Sequence, residues 1–313
     1  MRYLITGGAG FIGSHAVDRL LAEGHGVTVY DNLVTGQHRW LAGHEGDPAF
    51  RFVEGDILDR ELLQGTMADH DIVFHLAANT DIPSGYTQTR LDLDNCIIGT
   101  WNVLDAMRQV GIGEILFASS ATVYGYPRVM PTPETYGPLL PESHYGAGKL
   151  ACEALISGFA HLYPIKAWIY RFGNVMGGRM GHGVVYDFIA KLRRNPRELE
   201  ILGDGKQTKT FFLVEDCLEG IFWAYEHDRE RPVDIYNLGS PVTLTVTEIA
   251  RIVCAEMGLD GVDFRFTGGE RGWPGDVPRV DFDTSRMDAL GWRVTRTSAE
   301  AVRICAGRLM DDM

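Results

Sequence analysis

Short apolar runs alternate with helical patterns through the first half of the chain. The runs at residues 2–5, 27–30, 51–54, 71–76, 114–118 and 165–171 are typical of buried strands. Helical patterns lie between them, through residue 21 and at residues 58–67, 91–110 and 145–163. This alternation predicts an α/β fold with a doubly wound parallel sheet, in which ligands bind beyond the carboxyl ends of the strands.

The regular alternation ends after Phe172, and shorter elements follow. Helical patterns at residues 184–194, 216–227 and 246–257 are separated by short strands and turns. We therefore predict a cofactor-binding domain over residues 1–172 and a smaller, C-terminal α/β substrate-binding portion over residues 173–313. The boundary is approximate, since the chain is free to recross between the two parts.

Composition indicates an ordered, acidic protein. Of the 313 residues, 45% are hydrophobic and 23% are charged, which is enough to build a substantial core. A formal net charge of −13 argues against nucleic acid or an anionic membrane as a partner. The five cysteines lack metal-ligand spacing, and no apolar run resembles a signal segment or a transmembrane helix. We expect reduced thiols, no metal and a cytoplasmic location.

A glycine-rich turn follows the first apolar run. The stretch at residues 6–13 reads TGGAGFIG and places Gly7, Gly10 and Gly13 between a strand and a helix. These glycines suit, in turn, a tight turn, the close approach of a pyrophosphate and the packing of the helix on the strand. The N-terminus of the helix would hold the pyrophosphate. The pattern predicts a Rossmann dinucleotide-binding fold.

A carboxylate follows the second strand at Asp31, eighteen residues after Gly13. At this position a carboxylate accepts hydrogen bonds from a ribose diol and repels a 2′-phosphate, so NAD is favoured over NADP. Arg39 is a candidate partner for such a phosphate, but a solvated loop arginine is the simpler interpretation.

Tyr145 and Lys149 are four residues apart in the stretch SHYGAGK, where a helical pattern begins. Positions i and i+4 share one face of a helix. Because an ammonium group stabilises a nearby phenolate, we expect the pKa of Tyr145 to fall from about 10 toward neutral, so that the phenol acts as a general base. A YxxxK pair alone is a common accident of helix surfaces, and the glycine turn and Asp31 favour the catalytic interpretation.

Several motifs together resemble the extended short-chain dehydrogenase family of nucleotide-sugar enzymes. They are TGGAGFIG at 6–13, DNL at 31–33, GDI at 55–57, HLAA at 75–78, SSATVYG at 119–125, YGAGK at 145–149 and RFGNVMG at 171–177. GDG at 203–205 and GDVP at 275–278 extend the resemblance into the second half. The resemblance implies a Rossmann fold, NAD as cofactor and a UDP-sugar as substrate.

The resemblance also implies the residues of the cofactor site. Asp31 would bind the adenosine ribose, Asp56 and Ile57 the adenine, and Tyr145 and Lys149 the nicotinamide ribose. The implied NAD contacts are Gly7, Gly10, Phe11, Ile12, Gly13, Asp31, Asn32, Asp56, Ile57, Leu76, Ala77, Ala78, Asn95, Tyr145 and Lys149.

A catalytic group and a substrate site follow from the same resemblance. Tyr145, Lys149 and Ser120 would be catalytic, with Ser120 hydrogen-bonded to the sugar oxygen at the reacting carbon. The implied substrate contacts are Ser120, Thr122, Tyr145, Asn174, Arg179, Lys209, Arg271 and Asp276. Asn174 would contact the diphosphate of the substrate.

Two of these positions depart from the pattern of the family. Lys209 stands where relatives usually have arginine, which loses bidentate phosphate geometry. Arg271 lies two places earlier than in many relatives, which leaves its role as a phosphate ligand open. Asp276, as a contact of the nucleotide ribose, is the firmer prediction.

The stretch after Ser119 separates the reactions of the family. Related 4,6-dehydratases have an acid and a base where this chain has Ala121 and Thr122, and related decarboxylases have glutamate at the second position. Loss of a positioned acid or base costs about 10²- to 10⁴-fold in rate.

The stretch resembles that of 4-epimerases. The resemblance implies that Tyr145 takes the proton of the C4 hydroxyl while the sugar is oxidised. The 4-keto sugar would then rotate, present its other face and be reduced there. Because NAD is regenerated in each cycle, we expect it to stay tightly bound.

The sugar is less clearly indicated. The loop at 171–177 departs from the NPVG form of UDP-galactose 4-epimerases and resembles the branch that includes UDP-glucuronate 4-epimerases. Arg179 is a candidate partner for a C6 carboxylate, for phosphate or for solvent alone. His182 is better interpreted as a packing or solvent residue than as a proton carrier. We lean slightly to UDP-glucuronate and UDP-galacturonate, nearly level with UDP-glucose and UDP-galactose.

Alternative functions stay open. They are another oxidoreductase or dehydratase of the same family, which would release NADH or eliminate water, and a non-catalytic NAD-binding regulator. The retention of Tyr145 and Lys149 argues against the regulator. We also expect a homodimer formed through the helices at 91–110 and 145–163, as family dimers are.

Overall fold

The computed structural model describes all residues from Met1 to Met313. The strands are β1 (Arg2–Thr6), β2 (Gly26–Asp31), β3 (Phe50–Glu54), β4 (Ile72–His75), β5 (Glu114–Ser120), β6 (Lys166–Phe172), β7 (Asn174–Met176), β8 (Glu198–Ile201), β9 (Thr208–Leu213), β10 (Val233–Leu238), β11 (Thr243–Thr245) and β12 (Asp263–Phe266). The helices are α1 (Phe11–Ala22), α2 (Arg60–Met67), α3 (Gly99–Val110), α4 (His144–Leu162), α5 (Val184–Arg194), α6 (Val214–His227), α7 (Val246–Glu256), α8 (Ser285–Ala289) and α9 (Ser298–Asp312).

The main sheet has seven strands in the order β10-β6-β5-β4-β1-β2-β3. The pairs β1 with β2, β1 with β4, β2 with β3 and β4 with β5 are parallel. This is the strand order of a Rossmann sheet, whose direction of winding reverses between β1 and β4. The predicted fold class is confirmed, and the topology directs a dinucleotide to the carboxyl ends of these strands.

One compact unit contains residues 1–123, 143–171 and 221–236. Its core joins buried side chains of the sheet to those of α2, α3 and α4, among them Val73, Leu104 and Ile156. All four residues of β4 are buried, as expected of a parallel strand covered by helices on both faces. The continuous apolar runs of the sequence have this origin.

The other compact unit contains residues 124–142, 172–220 and 237–313. Its core is built from α5, α7, α9 and small sheets, with Phe188, Phe211, Ile249 and Val302 among the buried side chains. Each unit is built from several separate segments, so the chain recrosses more than once. The division of cofactor and substrate binding between residues 1–172 and 173–313 stays a prediction.

Local capping explains several helix boundaries. Ser143 precedes α4, and its hydroxyl accepts a hydrogen bond from the Gly146 amide at 3.0 Å. Thr245 and Glu248 form a capping box at the start of α7. The predicted helix at 184–194 matches α5 at both ends.

The predicted helix at 91–110 is not continuous. A π-helical segment, Leu93–Ile98, precedes α3. A Cβ atom on Gly148 of α4 would lie 3.1 Å from the Cβ of Cys96, so the π-helical segment packs tightly on α4. Hydrophobic periodicity does not distinguish an α-helix from one that contains a π turn, which is why the sequence analysis missed it.

None of the helices combines the length and the apolar character that crossing a lipid bilayer requires. All five cysteines are buried and free. No three His, Cys, Asp or Glu side chains are grouped so that they would hold a metal ion.

Candidate active site

The glycine turn between β1 and α1 has the shape that an anion site requires. Gly7 has a φ of +72°, and a Cβ on it would lie 2.8 Å from the Ala77 amide nitrogen. A Cβ on Gly13 would lie 2.3 Å from the Gly7 carbonyl oxygen, and a Cβ on Gly10 would lie 3.2 Å from the same oxygen. Helix α1 begins with Phe11 and continues with Ile12. Its N-terminus has no capping side chain, and its first turn has no acidic residue. Its amides and dipole are therefore available to an anion such as pyrophosphate, and the turn fits NAD.

Asp31 lies at the end of β2 and is only 7% exposed. Its two carboxylate oxygens accept hydrogen bonds from the amides of Ala9 at 2.9 Å and Leu33 at 2.8 Å. Each oxygen keeps a second acceptor position, which suits a ribose diol. Burial raises the pKa of Asp31, and the two backbone hydrogen bonds oppose that rise.

Two more of the predicted cofactor residues contact each other beside Asp31. The Asn32 side-chain amide donates to the Asp56 carboxylate at 2.9 Å, and the Tyr30 hydroxyl donates to the Asp56 carbonyl. The next residue, Ile57, is buried, and its carbonyl accepts a hydrogen bond from Asn102 at 2.9 Å. These bonds hold the end of β3 close to the end of β2, as the predicted adenosine site requires.

The turn after β4 is held against the glycine turn by buried polar groups. The Leu76 amide donates to the Thr6 carbonyl at 3.0 Å, and Ala77 and Ala78 follow it. The ring nitrogens of His75 lie 2.6 Å from the Thr6 hydroxyl and 3.0 Å from the Thr100 hydroxyl. Burial lowers the pKa of His75 to about 3, so its ring is neutral and serves to join neighbouring elements.

Asn95 lies in the π-helical segment and is half-buried. Its side-chain amide donates to the Leu91 carbonyl at 3.0 Å. Together with Leu58 and Leu91 it lines a cavity of about 380 Å³ that opens to solvent near the end of β3. This position is compatible with the predicted contact with NAD.

Helix α4 brings Tyr145 and Lys149 together on one face. The Lys149 ammonium nitrogen lies 5.8 Å from the centre of the Tyr145 ring and 4.9 Å from that of Phe117. It donates a 2.7 Å hydrogen bond to the Ala118 carbonyl on β5 and is 3% exposed. The ammonium group is therefore fixed between the helix and the neighbouring strand.

The predicted fall in the pKa of Tyr145 is wrong for this arrangement. Burial has the largest influence and raises the pKa, while the charge of Lys149 and a hydrogen bond with Ser120 lower it by less. Burial alone would lower the pKa of Lys149, but the surrounding groups, Tyr145 first among them, raise it overall. Lys149 remains a cation, yet the cost of burying a Tyr145 phenolate exceeds the attraction between that phenolate and the Lys149 ammonium group.

Ser120 ends β5 and is oriented by Thr122. Its hydroxyl oxygen accepts hydrogen bonds from the Thr122 amide at 3.2 Å and the Thr122 hydroxyl at 3.0 Å. With its hydrogen bond to Tyr145, this places the predicted catalytic residues Ser120, Tyr145 and Lys149 in one group. Thr122, predicted as a substrate contact, is seen to orient Ser120.

A buried ion pair that the sequence analysis missed supports this group. The Arg171 guanidinium donates to both oxygens of Glu153, at 3.0 and 2.6 Å, and the Ser119 hydroxyl donates to the same carboxylate at 2.5 Å. Glu153 follows Lys149 by one helical turn, and Arg171 opens the RFGNVMG motif. The spacing of Tyr145, Lys149 and Glu153 at i, i+4 and i+8 was the available signal.

The predicted substrate residues of the other unit begin at β7. Asn174 donates from its side-chain amide to the Thr210 carbonyl at 3.1 Å. Arg179 has a φ of +65°, and its amide donates to the Asp312 carboxylate at 2.8 Å, which holds its loop against the last helix. His182 is exposed.

Three further predicted residues of that unit form a cluster. The Lys209 ammonium group lies 2.5 Å from one Asp276 oxygen, and the Gly272 amide donates to the other at 3.1 Å. Arg271 donates to the Asp276 carbonyl at 3.1 Å and to the Glu142 carboxylate at 2.6 Å. The sequence analysis did not anticipate that carboxylates already hold both cations, with which a diphosphate must compete.

Comparison with known proteins agrees with these features. A family model described as the NAD dependent epimerase/dehydratase family matches residues 3–239. A putative UDP-glucose 4-epimerase of Methanocaldococcus jannaschii is 35% identical over 296 residues, covering 93% of this chain and 92% of the relative. UDP-glucuronic acid decarboxylase 4 of Arabidopsis thaliana is 35% identical over 262 residues, covering 81% of this chain and 56% of the relative.

Solved structures show the same similarity over the whole chain. A UDP-galactose 4-epimerase superposes with a TM-score of 0.90 at 37% identity, covering 100% of both chains. The UDP-glucuronic acid 4-epimerase of Bacillus cereus, in complex with UDP-glucuronic acid and NAD, has a TM-score of 0.90 at 25% identity, covering 99% of both chains.

Proposed function

The chain belongs to the NAD dependent epimerase/dehydratase family, and we propose that this isomerase interconverts UDP-glucose and UDP-galactose by inverting C4 with NAD as its cofactor. The observation that carries the proposal is the grouping of Ser120, Tyr145 and Lys149 at the carboxyl edge of a Rossmann sheet.

Tyr145 is the general base for the C4 hydroxyl. Lys149 stays protonated and stabilises the phenolate, and Ser120 hydrogen-bonds the oxygen at the reacting carbon. The raised pKa of Tyr145 has a use here, because the same group must return the proton after the 4-keto sugar has rotated to present its other face. A weakly basic phenolate would remove the proton poorly.

The cofactor is held by groups of one unit. The N-terminus of α1 binds the pyrophosphate, Asp31 the adenosine ribose, and Tyr145 and Lys149 the nicotinamide ribose. When bound, NAD would supply the acceptor for the hydride that C4 gives up and takes back, together with a positive ring charge that would favour the phenolate. Because the cycle leaves the cofactor unchanged, we propose that NAD is retained on purification.

Elimination and decarboxylation are poorer assignments, although a UDP-glucuronic acid decarboxylase is among the relatives. Ala121 carries no acid or base. Thr122 donates its hydroxyl to Ser120 and has no group that removes a proton at neutral pH. This chain therefore lacks the second acid–base pair that those reactions need.

The neutral hexose pair is proposed first because the similarity is greater to proteins named for it, at 35% and 37% identity. The uronate pair is the second candidate, favoured by one observation: Arg179 occupies a strained, left-handed backbone position in the loop that follows β7. A guanidinium held there would suit a C6 carboxylate.

A substrate panel tests the proposal. The purified protein is incubated without added cofactor with UDP-glucose, UDP-galactose, UDP-glucuronate, UDP-galacturonate and dTDP-glucose, and the isomers are separated. We expect the galactose and glucose forms to interconvert fastest. Faster turnover of the uronates would reverse the order of candidates, and growth of absorbance at 340 nm with excess NAD would indicate a net dehydrogenase instead.

The homodimer and the cytoplasmic location stay predictions. Analytical ultracentrifugation of the NAD-loaded protein tests the first of them.

A further inference from the structure

Ser119 is the buried neighbour of the proposed catalytic serine, and the reaction gives it no task. It precedes Ser120 in β5 and is 2% exposed. Its hydroxyl donates a 2.5 Å hydrogen bond to the Glu153 carboxylate. A serine hydroxyl has one proton, so this bond leaves Ser119 no proton for a substrate. Of the two serines, only Ser120 is able to donate to the sugar.

The carboxylate that accepts this bond is itself fixed from two sides. Glu153 belongs to α4, the helix of Tyr145 and Lys149. The guanidinium of Arg171, on β6, donates to both Glu153 oxygens, at 3.0 and 2.6 Å. Both side chains of this pair are buried, so water does not compete for their hydrogen bonds. The bond from Ser119 therefore ties the end of β5 to α4 and to β6 at once.

Three consecutive residues of β5 are hydrogen-bonded to one face of α4. The pairs are Ala118 with Lys149, Ser119 with Glu153, and Ser120 with Tyr145. The helix residues of these pairs follow one another at intervals of four, so they come from successive turns of the helix. Only the pair at the end of the strand is catalytic. Its geometry depends on how the two preceding residues are held.

We propose that Ser119 is a positioning residue that keeps Ser120 aligned with Tyr145, by anchoring the end of β5 to the Glu153 carboxylate. The inference rests on the proposed function, in which Ser120 and Tyr145 act on the same sugar oxygen. A misplacement of about 1 Å can lower a rate about 10²-fold. An anchor one residue from the catalytic serine therefore affects turnover.

The anchor differs from the ion pair in what its loss would do. Loss of Arg171 leaves a buried carboxylate without a cation, which weakens the fold. Loss of the Ser119 hydroxyl leaves Arg171 bonded to both oxygens of Glu153, so no buried charge loses its partner. Ser119→Ala should therefore stay folded while its turnover falls.

A double-variant cycle on the full-length, NAD-loaded protein tests the inference. Isomer formation from UDP-galactose gives kcat and KM for Ser119→Ala, Ser120→Ala and the double variant. We expect Ser119→Ala to lower kcat about tenfold with little change in KM. If Ser119 acts through Ser120, the double variant should be no slower than Ser120→Ala alone.

The controls separate the hydrogen bond from packing and from general stability. Ser119→Thr keeps the hydroxyl and should restore most of the wild-type kcat. Ser119→Cys keeps the size without a strong donor and should behave like the alanine variant, which it replaces if that variant folds poorly. Thr28→Val removes another buried hydroxyl of the Rossmann unit, 2.8 Å from a His70 ring nitrogen, and should leave kcat unchanged.

A measurement that needs no turnover is the ring Cζ resonance of Tyr145 at neutral pH, in tyrosine-labelled protein. The resonance is identified by its loss in Tyr145→Phe. Ser119→Ala should move it in the same direction as Ser120→Ala, because both variants weaken the hydrogen bond between Ser120 and Tyr145. Ser119→Thr should leave it in place.

Wild-type kcat in Ser119→Ala, independent losses that multiply in the double variant, or an unmoved Tyr145 resonance would overturn the proposal. Equal losses in the alanine and threonine variants would do the same, since packing would then be the cause. A wild-type protein that turns over no UDP-sugar would sink the proposed function. The resonance would still decide whether Ser119 positions Ser120.

Discussion

The two units hold their candidate binding groups in opposite ways. In the Rossmann unit, the N-terminus of α1 has no capping side chain, and both oxygens of Asp31 keep an acceptor position. In the other unit, Lys209, Arg271 and Asn174 are already bonded to groups of that unit. The proposed cofactor site is therefore preformed, whereas an anion at the proposed substrate site would have to replace side-chain partners.

The ion pairs of the two units differ in their exposure to solvent. Glu153 and Arg171 of the Rossmann unit have side chains that are 6% and 3% exposed, whereas Glu142 and Arg271 are 31% and 41% exposed. A buried pair cannot be opened without leaving a charge unsolvated, while an exposed pair opens into water at little cost. The buried pair therefore suits a permanent support, and the exposed pair suits a contact that a ligand replaces.

The largest effect on activity is expected from a substitution in the Rossmann unit. Tyr145→Phe removes the proposed base and should lower kcat by about 10²- to 10⁴-fold in protein loaded with NAD. The measurement is isomer formation from UDP-galactose. Tyr163→Phe, at the far end of α4, is the matched control and should retain activity. Retention of more than about one hundredth of the turnover by Tyr145→Phe would show that another group is the base.

Breaking the buried pair should cost stability. Arg171→Met leaves the Glu153 carboxylate unpaired and should lower the free energy of unfolding by about 3–5 kcal/mol, measured by denaturant titration. Arg90→Met, in an exposed pair with Asp94, should change it by less than about 1 kcal/mol. If the two variants were equally stable, burial would not be what distinguishes the units. The double variant Arg171→Met/Glu153→Leu should recover part of the loss.

Removing the charge at the end of β2 should weaken the binding of the cofactor. Asp31→Asn should weaken NAD binding by about 10- to 100-fold, since hydrogen bonds to charged groups contribute about 1.5–3 kcal/mol. The NAD content of the purified protein and a calorimetric titration measure this effect. Asp69→Asn, which removes a charge from a turn elsewhere, should leave the content unchanged. Equal NAD content in both variants would contradict the ribose assignment.

The smallest effect is expected from a substitution at the exposed ion pair of Glu142 and Arg271. Glu142→Gln frees Arg271 from a carboxylate and should lower the KM for the UDP-sugar by about twofold to fivefold, because exposed pairs contribute about 0.2–1 kcal/mol. Glu200→Gln, which frees Lys191 elsewhere, is the control. A higher KM in Glu142→Gln would mean that Glu142 holds Arg271 in its binding position instead of competing with the ligand.

The sequence by itself determined the fold class and the strand ends and helix at which the predicted cofactor residues lie. The spacing of Gly7, Gly10 and Gly13, the carboxylate at Asp31 and the helical pair of Tyr145 and Lys149 are local features. Strand and helix periods place such residues with little reference to the rest of the chain.

The tertiary structure alone decided how these groups behave. Burial among distant residues raises the pKa of Tyr145. Lys209 pairs with Asp276, and Arg171 supports α4 through Glu153, although these partners are far apart in the chain. Burial and charge depend on distances in three dimensions, which residue spacing does not encode.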